Sequence, residues 1–204
     1  MQLAAKGRRE IVKPQDRPQK DTTAPANVEG LEFENVYHRY YPAIFTYAMR
    51  ATLNVAAAED IVSETFLKAF RGYKNLRGGP GALQGWLYRI ATNTMMDYFR
   101  RSARTPVVAT PVDELAERYL VAGESPGSAI QRLEDYRRLH GVIALLPHVY
   151  RLTIVLHYFE GQSVREIATI MKCTAVTVRW RLFQARKRLA ARLGVNLETD
   201  TNDY

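Results

Sequence analysis

Residues 163–189, SVREIATIMKCTAVTVRWRLFQARKRL, read as a capped helix, a tight turn and a second helix that ends in a run of positive charge. Ser163 is a good N-cap, and Glu166 stands three residues on, so the pair makes a capping box that satisfies two orphan backbone donors. Ile167, Ala168 and Met171 continue as an apolar stripe at helical spacing. Lys172 and Cys173 supply the turn, and the Thr174 hydroxyl caps the next helix. Val178, Leu182, Ala185 and Leu189 put one face of that helix inward.

The opposite face carries Thr177, Arg179, Trp180, Arg181, Phe183, Gln184, Arg186, Lys187 and Arg188. Between Arg179 and Arg192 there are six basic residues and no acid. A solvated helix face normally mixes both signs, so this bias points to an anionic partner. Lys and Arg neutralise phosphates, and Arg can reach guanine bidentately. A helix-turn-helix whose second helix enters the major groove is the reading that these features share.

Composition narrows the remaining classes. The chain has 204 residues, 47% hydrophobic content and a formal net charge of +8. That balance suits a folded protein with a polyanionic partner. No apolar run approaches the roughly 18 residues that a membrane crossing needs. The N-terminus lacks the apolar segment of a secretory signal, and one cysteine makes no internal disulfide; both predict a reducing cytoplasm. His38, His140, His148 and His157 show no metal-ligand spacing with Cys173 or with one another, so no metal and no cofactor is expected. Gly78-Gly79-Pro80-Gly81 lacks the following Lys-Ser/Thr of a phosphate cradle and reads as a loop. The acids are scattered rather than clustered, which argues against a metal-dependent nuclease.

Organisation follows from periodicity. Residues 1–30 contain three prolines, six basic and four acidic side chains and no aromatic residue, and they predict a flexible tail. From Phe33 the pattern becomes helical. Val36, Tyr37, Tyr40, Tyr41, Ile44, Phe45 and Ala48 form one stripe. Asn54 caps a second helix with Ile61, Val62, Thr65, Phe66, Ala69 and Phe70 inward and Glu59, Asp60, Ser63, Glu64 and Lys68 outward. A third helix runs from about Leu83 to Arg101. Leu83, Trp86, Leu87, Ile90, Ala91, Thr94 and Tyr98 are expected inward, and Tyr88, Arg89, Thr92, Asn93, Met96, Asp97 and Arg100 outward. Residues 104–128 hold three prolines and a net charge of −3 from 105 to 128, and predict an acidic linker. A helix to Leu146, a break at Pro147 and another helix to Phe159 then lead into the helix-turn-helix. Residues 195–204 are polar and acidic. The expected fold class is all-α: two small helical domains joined by a flexible linker.

Three segments carry a more specific signature: AEDIVSETFLKAF (58–70), GWLYRIATNTMMDYFRR (85–101), and LPHVYRLTIVLHYFEGQSVREIATIM with TVRWRLFQARKRL (146–189). Together they resemble the extracytoplasmic-function (ECF) group of the sigma-70 family of bacterial RNA polymerase sigma factors. The resemblance implies a sigma-2-like domain over 31–103, a sigma-4-like domain over 129–194, and tails at 1–30 and 195–204. It implies no enzymatic activity. It implies core RNA polymerase as partner, through the beta-prime clamp helices and the beta flap, with promoter DNA and an anti-sigma factor as further partners. Asp60, Ile61, Val62, Ser63, Glu64, Thr65 and Phe66 match the polymerase-binding segment, with the outward Asp60, Ser63 and Glu64 as contacts. Tyr88, Arg89, Asn93, Asp97, Arg100 and Arg101 fall on the helix implied to hold the −10 element. Thr174, Thr177, Arg179, Trp180, Arg181, Phe183, Gln184, Arg186 and Lys187 fall on the −35-reading helix. The chain departs from the family at Gly78-Gly79-Pro80-Gly81, where polar and aromatic residues are usual, and at Trp180 and Gln184, where Ser and Arg are common. A stand-alone helix-turn-helix regulator is the competing reading, and it would need a dimer interface upstream to match half-sites.

Overall fold

The computed structural model describes residues 32–77, 80–102 and 141–194. Both expected tails and the acidic linker fall outside them, as does most of the helix expected to precede Leu146. The described residues contain helices and turns and no strand.

Helix α1 (Phe33–Thr52) runs through Pro42 and ends at Leu53, whose φ of 57° turns the chain out of the helix. Asn54 opens α2 (Val55–Gly72), its carboxamide oxygen accepting the Ala57 N–H at 2.8 Å. A 3₁₀ turn (Tyr73–Asn75) leads toward α3 (Pro80–Ser102). These helices form a three-helix unit around Ile44, Tyr47, Ala48, Val62, Leu83, Leu87 and Met95, all fully buried. Gly72 packs closely under Trp86: a Cβ there would stand 3.0 Å from the ring, so a larger residue requires the indole to shift by a few tenths of an ångström.

The second unit begins, after Pro147, with α4 (His148–Ile154), which passes into a π-helical turn (Val155–Phe159). The expected break at Pro147 is present, but the helix beyond it widens before Phe159. Gly161, at φ +63°, then reverses the chain into α5 (Val164–Ile170) and α6 (Ala175–Leu193). Leu152, Leu156, Ile167, Val178 and Ala185 are buried where α4, α5 and α6 meet.

The two units do not stand apart. α5 lies along α3, the π turn lies against α1, and the buried residues of both units form one continuous apolar cluster. This corrects several expected faces. Tyr88 and Thr92, expected outward, are each 2% exposed. The Tyr47 hydroxyl bonds the Thr92 oxygen at 2.9 Å, and Thr92 donates onward to the Tyr88 carbonyl at 2.7 Å. Met95 and Phe99, left out of the expected inward set, are buried. Trp86 and Tyr98 are only half-buried. Phe70, expected inward, is 62% exposed and meets Phe33 edge to face at 5.2 Å between ring centroids.

Arg151 joins the units from the other side. It is buried, and it donates to the carbonyls of Ala51 (3.0 Å), Leu146 (3.2 Å) and Ala144. Its guanidinium lies 5.8 Å from the centre of the Phe99 ring, and Phe99 stacks in parallel on His148 at 4.0 Å. Burial, with Arg151 alongside, lowers the His148 pKa, so the fold holds the neutral ring. The unfolded chain then binds a proton at pH values where the folded chain does not. The stability this histidine contributes is complete above its ordinary pKa and is lost as the solution is acidified below it. Burial raises the Glu160 pKa and so acts with the opposite sign. The informative quantity is therefore the difference between wild type and His148→Phe. Between about pH 7.5 and 5.5, spanning the ordinary histidine pKa of about 6.5, wild type should lose stability relative to that variant in denaturant titrations. A constant difference would remove the titrating role.

Candidate nucleic-acid interface

The helix-turn-helix is built from local capping. The Ser163 hydroxyl accepts the Glu166 N–H at 3.3 Å, and the Glu166 carboxylate accepts the Ser163 N–H at 2.7 Å. Both halves of the expected capping box are made. Lys172, at φ 50°, turns the chain in a left-handed conformation that L-residues seldom adopt. The Thr174 hydroxyl accepts the Thr177 N–H at 3.1 Å and opens α6.

Val178, Leu182 and Ala185 are buried on the inner face of α6, as their spacing predicts, while Leu189 is half-buried. Arg179, Trp180, Phe183, Lys187 and Arg188 are exposed; Thr177, Arg181, Gln184 and Arg186 are half-buried. The Arg181 guanidinium turns back toward the turn, with one nitrogen 3.6 Å from the Cys173 sulfur and 3.7 Å from that of Met171. Arg188 lies over the Tyr150 ring at 5.3 Å. The same Tyr150 meets Trp180 edge to face at 5.9 Å. Trp180 is 53% exposed and braced at its base, so its indole presents an apolar edge beside the basic residues. A rigid aromatic among cations suits a groove in which thymine methyls and sugars lie between phosphates.

On the first unit the named residues divide. Asp60 and Ser63 are exposed on α2, and Glu64 is half-buried between Lys68 (2.7 Å) and Arg101 (3.9 Å). Ile61, Val62, Thr65 and Phe66, in the same expected segment, are buried and hold the helix in place. Leu67, which sequence periodicity did not single out, and Phe70, which it placed inward, continue the exposed α2 surface with apolar side chains. On α3, Asn93 is exposed, Asp97 pairs with Arg100, and Arg101 is exposed. Arg89 lines a cleft of ≈ 460 Å³ between α3 and α5, together with Arg77, Trp86 and Arg165.

Tyr88 differs from its neighbours. Its hydroxyl donates to Glu160 at 2.8 Å, and the other carboxylate oxygen accepts from Arg50 at 3.0 Å. The Glu160 side chain is 7% exposed. Burial raises the Glu160 pKa, and Arg50 and the Tyr88 hydrogen bond act against that rise. Arg50 also lies 5.0 Å over the Phe159 ring. None of Arg50, Arg151 and Glu160 stands out as a site in the sequence. The only local signal is one acid closing the apolar run LTIVLHYF, a position where an unmatched carboxylate would be costly.

Comparison with known proteins agrees with this arrangement. Residues 36–105 match the family described as sigma-70 region 2, and residues 136–189 match sigma-70 region 4. The RNA polymerase sigma-H factor of Pseudomonas aeruginosa is 35% identical over 162 residues, covering 77% of this chain and 83% of that protein. The ECF RNA polymerase sigma-E factor of Haemophilus influenzae is 36% identical over 135 residues, covering 64% and 71%. Among solved structures, the sigma factor RpoE in complex with the anti-sigma factor NepR from Bartonella quintana superposes with a TM-score of 0.62 at 22% identity, over 80% of this chain and 98% of that one. CnrH in complex with the cytosolic domain of CnrY gives a TM-score of 0.56 at 25% identity, over 82% and 92%.

The capping box yields a direct check. Ser163→Ala removes one half of it and should cost about 1 kcal/mol. In a chain of this size that lowers the thermal midpoint by about 2–4 °C. An unchanged midpoint would mean that tertiary packing alone holds the start of α5.

Proposed function

We propose that this chain, which belongs to the ECF group of the sigma-70 family of RNA polymerase sigma factors, divides its work between one face of α2, the polar side of α3 and the exposed side of α6. It binds core RNA polymerase and directs initiation at promoters through their −10 and −35 elements. The observation that carries this reading is the presence, in one chain and in family order, of a three-helix unit and a capped helix-turn-helix with an exposed basic, aromatic face.

In this division Asp60, Ser63 and Glu64 meet the polymerase clamp helices, with Leu67 and Phe70 as apolar neighbours. The geometry favours these over Ile61, Val62, Thr65 and Phe66, whose side chains are spent on the core. The second unit, proposed as residues 129–194, faces the beta flap. The first, proposed as 31–103, supplies Arg89, Asn93, Asp97, Arg100 and Arg101 to the −10 strand. Tyr88 is engaged by Glu160 and is not assigned to DNA while that bond holds. On α6, Thr174, Thr177, Arg179, Arg181, Arg186 and Lys187 hold the −35 backbone, and Trp180, Phe183 and Gln184 meet base edges. Gln184 suits adenine, where an arginine would suit guanine. The protein acts without catalysis of its own, in the cytoplasm, where polymerase and promoter are. Among the described residues no helix is long and apolar enough to cross a membrane, and no group of three His, Cys, Asp or Glu converges as a metal site. An anti-sigma partner is part of the proposal, since the similar sigma factor RpoE was captured with the anti-sigma factor NepR.

Run-off transcription with core polymerase on a genomic promoter library tests the whole reading. RNA starting at defined sites only when chain and core are combined is the expected result. Failure to associate, or association with no defined start, would sink it. Two variants test the division of labour. Asp60→Ala with Glu64→Ala should weaken core binding by about tenfold, or about 1.4 kcal/mol, with the helical spectrum unchanged. Gln184→Arg should move one −35 position from adenine toward guanine in the same library. Unaltered core affinity, or an unaltered base preference, would remove the respective assignment.

A further inference from the structure

The two DNA-reading units touch, and a promoter does not allow that. Elements centred near −10 and −35 lie about 25 base pairs apart, which at 3.4 Å per pair is about 85 Å of duplex. Here α5 lies directly against α3. Tyr88 is buried with its hydroxyl on Glu160 of the second unit, and Arg89 lines the cleft between α3 and α5, so part of the helix assigned to the −10 strand is covered. The described arrangement is therefore a closed form that must open before both elements are held.

The closure is polar at its centre. Glu160 leaves the π turn of the second unit and reaches Arg50 on α1 and Tyr88 on α3, filling both carboxylate oxygens. Its backbone is fixed by Gly161 and by the buried Gln162, whose amide donates to the Glu160 carbonyl at 3.3 Å. Arg151 reinforces the closure through the Ala51 carbonyl at the end of α1. Such a contact has two properties that an apolar seam lacks. Loss of one partner strands a buried charge, which strongly disfavours the closed form. Separation of the whole unit returns both charges to water, so the open form carries no unmatched group. A contact of that kind suits a two-state element better than a permanent core.

We propose that Glu160, gripped by Arg50 and Tyr88, is a latch that keeps the free chain closed and its −10 helix covered until polymerase holds the units apart. The closed state taxes binding, because the apparent dissociation constant rises as the open fraction falls. Weakening the latch should therefore tighten association with core polymerase. A residue that merely supported the fold would do the reverse when removed. The polymerase arm rests on the sigma-factor reading; closure of the free chain does not.

The test uses the full chain with dyes at Lys74→Cys and Arg192→Cys in a Cys173→Ser background. The free protein should give a single high-transfer population. Glu160→Ala should lower the closed-to-open ratio at least tenfold, with helical content retained. Arg50→Ala, at a partly exposed position, should act in the same direction and serves if Glu160→Ala melts early. Core polymerase should shift the unsubstituted latch to low transfer, and both variants should bind core more tightly. Equal transfer in wild type and variants, or weaker core binding by well-folded variants, would overturn the latch. A latch that responds in the free chain while polymerase fails to bind at all would instead overturn the sigma-factor reading.

Discussion

A carboxylate removed from water must be matched, and in this protein that requirement ties one unit to the other. Glu160 comes from the second unit, yet both groups that satisfy it, Arg50 and Tyr88, come from the first. Burial pushes its pKa up, and the guanidinium and phenol work against that push. Neither unit can hold this acid alone in a dry site. The same logic applies in reverse to Arg151, a second-unit cation that finds a first-unit carbonyl and ring. The second unit thus carries two buried charges of opposite sign, and groups of the first unit complete the solvation of both.

This constraint explains where sequence reasoning works and where it stops. Caps are local. Ser163 with Glu166, Thr174 and Asn54 are legible because donor and acceptor lie within three residues, and all three are made as expected. The inner face of α6 is legible because Val178, Leu182 and Ala185 repeat at helical spacing and meet α4 and α5, helices of the same unit. Tyr88 and Thr92 are not legible. Their side of α3 is polar by composition, and its partners are distant in the chain: Glu160, 72 residues on, for Tyr88, and Tyr47 of α1 for Thr92. Phe70 fails for the opposite reason. It sits at a regular helical interval from Phe66, but there it meets the edge of Phe33 and stays 62% exposed. The two-unit, all-helical architecture was readable because it needs only periodicity and breakers. The joint between the units was not, because it depends on single polar residues from distant segments.

The candidate interface shows the same split. The basic bias of α6 is a matter of counting, and so was visible at once. Which basic residues face outward is not, because Arg181 is drawn to the sulfur atoms of the turn and Arg188 to Tyr150. Trp180 gains its rigidity from Tyr150, a residue of the preceding α4, so its character as a braced apolar edge emerges only from packing. A tryptophan free to swing would lose more conformational freedom on docking than one already held at its base.

Closing the two units also gathers like charge. Arg77 and Arg89 of the first unit and Arg165 of the second line one cleft, and the acid among them, Glu166, is already bonded to the Ser163 backbone. Arginines in water at that range repel one another modestly, and salt screens them, since the Debye length is about 10 Å at 0.1 M. The Glu160 contact is buried and is screened far less. Salt therefore relieves the term that opens the protein and spares the term that closes it, so the closed form should tighten rather than loosen as ionic strength rises. DNA phosphates entering the cleft would act on the same three cations from the other direction, drawing them apart along a backbone instead of leaving them face to face. The two states then differ in what neutralises the arginines, ions in one and nucleic acid in the other, while one carboxylate decides which state the free chain adopts.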